Sequence, residues 1–100
     1  MNESNLSEKQ RSHLRMYLYN LRKRLGLSIY QVTNKLILSN AYYYQIEQGT
    51  RGHKMDVVML NDLATLFEVS LESLCKEELL YQLERRSKGL RCDRRWILTE

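Results

Sequence analysis

Proline is absent from this 100-residue chain and glycine occurs only four times. An all-β fold needs many tight turns, and turns draw heavily on these two residues, so the shortage argues against one. Cysteine occurs twice, at Cys75 and Cys92, too far apart for a CxxC pair. The polar segment 1–10 holds no signal-peptide apolar stretch, so the two thiols are read as reduced and the chain as cytoplasmic. No apolar run approaches the ~20 residues that span a bilayer, which removes a membrane from the expected partners. His13, His53, Cys75 and Cys92 match no tetrahedral zinc spacing, so neither a metal nor another cofactor is expected. Catalytic signatures are missing as well. There is no GxSxG, HExxH or P-loop and no carboxylate pair placed on a cleft, so the chain is not expected to be an enzyme. No small-molecule ligand is evident.

What remains is ordinary for a globular domain: 43% hydrophobic and 28% charged residues. A chain of this length buries roughly 60–70% of its unfolded surface, enough for one core. Leucine, lysine, arginine, glutamate and glutamine dominate and favour helix. Charge is unevenly placed. Residues 1–26 carry +4, 27–55 carry +2, 56–84 carry −6 and 85–100 carry +4. Such polarity suits phosphate binding through counterion release, although charge blocks also occur as plain solvated faces.

Helix signals punctuate the chain. Ser7 and Gln10 form a capping box opening a helix through Leu25, with Leu14, Leu18, Leu21 and Leu25 on one face. Arg11, Arg15 and Arg22 fall off that stripe; Arg11 and Arg15 read as solvated-face residues, with contact to DNA as the alternative. Gly26 suits the left-handed stop. Ser28 and Gln31 form a second box, starting a helix that turns Val32 and Leu36 inward. Ser39 caps a third helix, which carries Tyr43 and Ile46 inward and stops at Gly49. Residues 49–55 read as a loop. Asp56 caps a fourth helix with Val57, Leu60, Leu63, Ala64 and Phe67 inside. Ser70 caps a fifth with Leu71, Leu74 and Cys75 inside, and a stretch over 79–86 either continues it or bends away. These signals divide the chain into a frayed 1–6, a domain over 7–88 and a basic tail over 89–100. The tail holds the lone Trp96 beside Ile97 and Leu98. Disorder, an arm to DNA and packing of that apolar patch are its three open readings.

Two short capped helices joined tightly, over 29–48, outline a helix-turn-helix. The residues that carry a closer likeness are Leu25-Gly26-Leu27-Ser28, Val32, Leu36, Ser39 and Ile46-Glu47-Gln48-Gly49. Further on come Leu63-Ala64 and Val69-Ser70-Leu71. Over this half of its length the chain resembles the Cro and phage-repressor (XRE) helix-turn-helix regulators. The resemblance implies an all-α, five-helix bundle of the lambda-repressor-like DNA-binding type, whose third helix enters the major groove. Carried over by position, it implies that Ser39, Asn40, Ala41, Tyr44 and Gln45 face DNA. Asn40 and Gln45 would read base edges, since each amide both donates and accepts, and Ala41 would meet a thymine methyl. Ser28 and Ser39, at helix starts, and Arg51 and Lys54, after the recognition helix, would hold phosphates. Tyr43 would be core, Tyr44 would face the groove and Tyr42 the flank; Glu47 would serve structure.

Three positions depart from the family pattern. Ile37 stands where glycine is usual, and a β-branched residue resists left-handed backbone angles, so a reshaped turn with a longer second helix is expected. Ile29 replaces a frequent DNA-contacting glutamine. Thr33 replaces a small alanine at the helix crossing, which would hold the two helices further apart. The resulting expectation is a sequence-specific transcriptional regulator. It would bind double-stranded, palindromic operator DNA as a homodimer, with the fifth helix and tail as the dimer surface. The alternative is a protein-interaction module on the same fold, antitoxin or anti-repressor-like, with weakened DNA binding.

Overall fold

The computed structural model describes residues 14–50 and 55–90; over them the chain is all-helical, with five helices and no strand. Contacts divide the chain into two units, Met1–Gly52 and His53–Glu100. No helix among the described residues is long and apolar enough to cross a membrane.

The first unit holds α1 (Met16–Arg24), α2 (Ile29–Leu36) and α3 (Asn40–Gln48). Helix α3 packs against both others. Leu14, Leu18, Val32, Tyr43 and Ile46 are its buried hydrophobic residues. The capping box expected at Ser7 lies outside the described residues. Within them, the helix expected to run through Leu14 starts only at Met16. Arg15 has φ −78° and ψ 79°, outside the helical range, and makes no side-chain cap. The reason is a competing pair of hydrogen bonds. Arg15 N donates to the Glu47 carbonyl at 2.8 Å, and its Nη1 donates to the Ile46 carbonyl at 2.9 Å. Both acceptors lie in the last turn of α3, beyond the reach of the regular i+4 donors, and the Ile46 carbonyl is shared with Gly49 N at 3.2 Å.

Gly26 closes α1 with φ 68°, and Leu27 N donates to the Arg22 carbonyl at 3.0 Å. That six-to-one bond across a left-handed glycine is the Schellman stop. The Ser28 box is complete: Ser28 Oγ accepts from Gln31 N at 3.1 Å, and Ser28 N donates to Gln31 Oε1 at 2.8 Å.

The turn between α2 and α3 corrects the expectation about Ile37. Helix α2 does not run longer. It ends at Leu36, and Ile37 takes the left-handed conformation itself, with φ 56° and ψ 49°. Leu38 N then donates to the Thr33 carbonyl at 3.1 Å, and Ser39 caps α3 by accepting from Tyr42 N at 3.1 Å. A turn that needs this backbone state keeps it even with a β-branched residue, because the bonds on either side leave no other path. Helix α3 stops at Gly49, φ 79°.

The second unit holds α4 (Val57–Phe67) and α5 (Leu71–Ser87), packed against one another. Asp56 Oδ1 caps α4 by accepting from Met59 N at 2.8 Å. Leu60, Leu63, Ala64 and Phe67 are buried as expected, but Val57 is not: it is exposed, in the first turn. Met55 is buried in its stead. Met55 directly precedes the cap and Leu60 is the fourth helical residue, the two positions of a hydrophobic staple, so the staple takes the role the pattern gave to Val57. Ser70 caps α5 through Ser73 N at 3.0 Å. Leu74 is buried, with Leu71 and Cys75 half-buried. The stretch over 79–86 continues the same helix, which runs 17 residues and stops before Gly89, φ 73°.

Ile37 is 91% exposed, so its side chain contributes no burial to offset its backbone strain. Ile37→Gly is therefore expected to stabilise the protein by about 1 kcal/mol, the left-handed penalty outweighing the added chain entropy. Urea unfolding of the two proteins checks this, with an unchanged or lower midpoint counting against it.

Candidate nucleic-acid interface

Helix α3 has two chemically distinct sides. Tyr43, Ile46 and Glu47 are buried on one. Ala41 and Tyr44 are exposed on the other, with Gln45 half-buried and Asn40 exposed at the start. Tyr42 is exposed at the flank. The three consecutive tyrosines separate because successive helical residues lie ~100° apart.

What orients α3 is an ion pair. Arg22 Nε and Nη2 donate to the two carboxylate oxygens of Glu47, each at 2.8 Å. The side chains are 10% and 1% exposed, so the bond is bidentate and largely dry. Arg22 Nη1 also donates to the Leu27 carbonyl at 3.1 Å, tying the turn after α1 to the same point. Hydrogen bonding to Glu47 raises the Arg22 pKa, against an opposing effect of burial. Tyr43 lies beside this pair. Burial, followed by the Glu47 charge, pushes its phenol well above the usual range, and its hydroxyl has no hydrogen-bond partner among the described residues.

Arg15 is thus buried, not the solvated residue its off-stripe position suggests, and Arg22, off the same stripe, is buried as well. The pattern missed them because it scores arginine as polar surface. One sequence signal was present: Glu47 is the sole carboxylate between Glu8 and Asp56, in a cationic stretch.

Asn40 is placed differently from a free reader. Its Oδ1 accepts from Thr33 Oγ1, for whose single hydroxyl hydrogen the Tyr30 carbonyl at 3.2 Å is the alternative acceptor. One half of the Asn40 amide is committed to the junction between α2 and α3. The bidentate adenine contact needs both halves, so Asn40 keeps one outward-facing group. Gln45 carries no such commitment. Thr33, buried at the crossing, bridges the two helices through its hydroxyl.

The Ser28 and Ser39 oxygens are used in caps, which leaves each hydroxyl hydrogen available to donate outward. The first amides of α3, at Asn40 and Ala41, precede any intrahelical acceptor, so they too point out of the helix start. Tyr30, near the Ser28 end of α2, is exposed and adds a phenolic donor that the position-by-position transfer overlooked. Lys23, Arg24 and Lys35 are exposed on the same unit. Helix α3 itself carries no lysine or arginine. Arg51 and Lys54 lie outside the described residues. No cluster of three or more His, Cys, Asp or Glu able to hold a metal occurs among the described residues.

The chain matches no family model, no curated protein and no solved structure.

Two outcomes follow from the pair. Removing one partner, as in Arg22→Ala or Glu47→Gln, strands a buried polar group and is expected to cost about 3–5 kcal/mol. Replacing both residues by apolar ones of similar volume should cost much less, as a urea double-mutant cycle would read. The raised Tyr43 pKa gives a second expectation. Its contribution is complete below about pH 10, where the unfolded phenol is also protonated. Above that, the unfolded chain loses a proton that the native state keeps, and stability falls by up to about 1.4 kcal/mol per pH unit. Tyr43→Phe leaves no group orphaned and should remove this alkaline loss. Identical falls for both proteins in urea titrations between about pH 9 and about pH 11 would refute it.

Proposed function

We propose that the chain is a sequence-specific DNA-binding transcriptional regulator of the XRE helix-turn-helix type, with α2 and α3 as the motif and α3 as the recognition helix. The carrying observation is the two-sidedness of α3. Its inner side is anchored to α1 by a buried ion pair, and its outer side presents the uncharged residues Asn40, Ala41, Tyr44 and Gln45.

An α-helix fits the ~12 Å major groove. Gln45, with both amide atoms uncommitted, supplies the direct readout. Ala41 meets a methyl or simply allows close approach, and Tyr44 reaches base edge or sugar. Asn40 contributes one donor or acceptor from the turn. The amides at the start of α3, the hydroxyls of Ser28 and Ser39, and the cations Arg51 and Lys54 grip the phosphates. The first unit's described residues hold five Lys/Arg against one carboxylate, which favours this role. Binding as a homodimer to a palindromic operator completes the reading, with half-sites about one helical turn apart. The five helices support a lambda-repressor-like fold.

The alternative, a protein-interaction module, draws on a different observation. Ile37 and Tyr30 are 91% and 64% exposed, and α3 has no cation of its own. A pull-down from the native host that returned one stoichiometric protein and no DNA would favour it.

Selection of bound DNA from a random pool tests the main reading, which a pool showing no enriched sequence at moderate salt would defeat. Gln45→Ala is expected to cost about 1–3 kcal/mol at one base pair and relax preference there, whereas Lys54→Ala weakens all sequences alike and lowers the salt slope by about one. Anisotropy titrations separate the two, and matching behaviour would overturn the division between reading and gripping.

A further inference from the structure

Helix α5 is inverted in its later turns. Glu78, Gln82 and Arg85 are buried, while Leu79, Leu80 and Leu83 are exposed. Beside this face lies an apolar groove of about 310 Å³, lined by Leu60, Cys75 and Leu79 together with Glu72, Lys76, Glu78 and Gln82. Leu83, exposed, follows Cys75 and Leu79 at the same four-residue spacing on this side of the helix.

The segment that follows α5 fits this groove in reach, charge and shape. The helix ends in a Schellman stop: Gly89 is left-handed, and Leu90 N donates to the Arg85 carbonyl at 2.8 Å. Trp96 is six residues beyond Leu90, a span of up to about 20 Å. Leu79 lies eleven residues before Leu90, about 16 Å back at a helical rise of 1.5 Å per residue. Residues 91–96 carry three arginines and one aspartate. The second unit's described residues carry seven carboxylates against four Lys/Arg. The volume is sufficient for an indole ring, and burying Trp96, Ile97 and Leu98 would remove an apolar patch from water.

We propose that the segment 91–98 folds back in cis along α5 and seats the Trp96 ring in the groove between α4 and α5, with Glu72 the exposed lining carboxylate open to its arginines. The groove is then an intramolecular receptor for this segment, and the exposed leucines of α5 are covered by the chain's own tail.

Trp96 is the sole tryptophan, so its emission reports the site directly in the full-length chain, without DNA. The expected result is a blue-shifted emission maximum, shielded from acrylamide and unchanged over about a hundredfold dilution. Leu79→Glu should shift it red by several nanometres while the circular dichroism stays helical. In a Cys92→Ser background, Trp96→Ala should speed labelling of Cys75 several-fold. Emission like free indole in the parent chain overturns the proposal, as does a Leu79→Glu spectrum equal to the parent's. Shielding lost on dilution would assign the groove to a second copy and overturn the cis arrangement. Because no nucleic acid enters the test, its result is independent of whether the protein binds DNA.

Discussion

The geometry of the first unit depends on one buried contact, the bidentate pair between Arg22 in α1 and Glu47 in α3. Its two parallel hydrogen bonds specify angle as well as distance, which a cluster of leucines cannot do. Replacing such a pair with apolar residues is often neutral for stability, so its value lies in the orientation it imposes. Arg15 reinforces it. By donating to the last carbonyls of α3, it joins the start of α1 to the same end of the same helix. Two arginines and one glutamate thus hold the inner side of α3, and the outward presentation of Ala41, Tyr44 and Gln45 follows from that.

This arrangement also changes the charge that the surface offers. Two of the five cations among the described residues of the first unit are withdrawn into structure. The outer side of α3 is neutral, so under the DNA-binding reading affinity would come from helix-start amides, hydroxyls and flanking cations, while discrimination would come from amide and apolar contacts. The bond between Thr33 and Asn40 narrows that further. It holds the turn together and takes half of one reading amide in doing so.

Much of the local structure was legible along the chain because its determinants are local. Ser28, Ser39, Asp56 and Ser70 each cap the helix they precede, since a short side-chain oxygen reaches an amide three residues on whatever the tertiary context. Gly26, Gly49 and Gly89 end helices because a left-handed residue costs glycine nothing. Ile37 shows the limit of such reasoning. Residue preference argued for a reshaped turn, yet the bonds flanking the turn outweigh a strain of about 1–2 kcal/mol. Val57 shows another limit. Periodicity placed it inside, but Met55, before the cap, fills that place.

From its sequence alone, this protein was determined to be helical, with its caps and stops in place and with Tyr43 inside between two outward tyrosines. These features rest on periodicity and on bonds spanning three or four residues. Only the tertiary structure decided that Arg15 and Arg22 are interior, that α1 begins at Met16, and that Asn40 is shared with Thr33. Each depends on atoms brought together from up to 32 positions apart, as in the bond from Arg15 N to the Glu47 carbonyl, and no local pattern encodes that meeting.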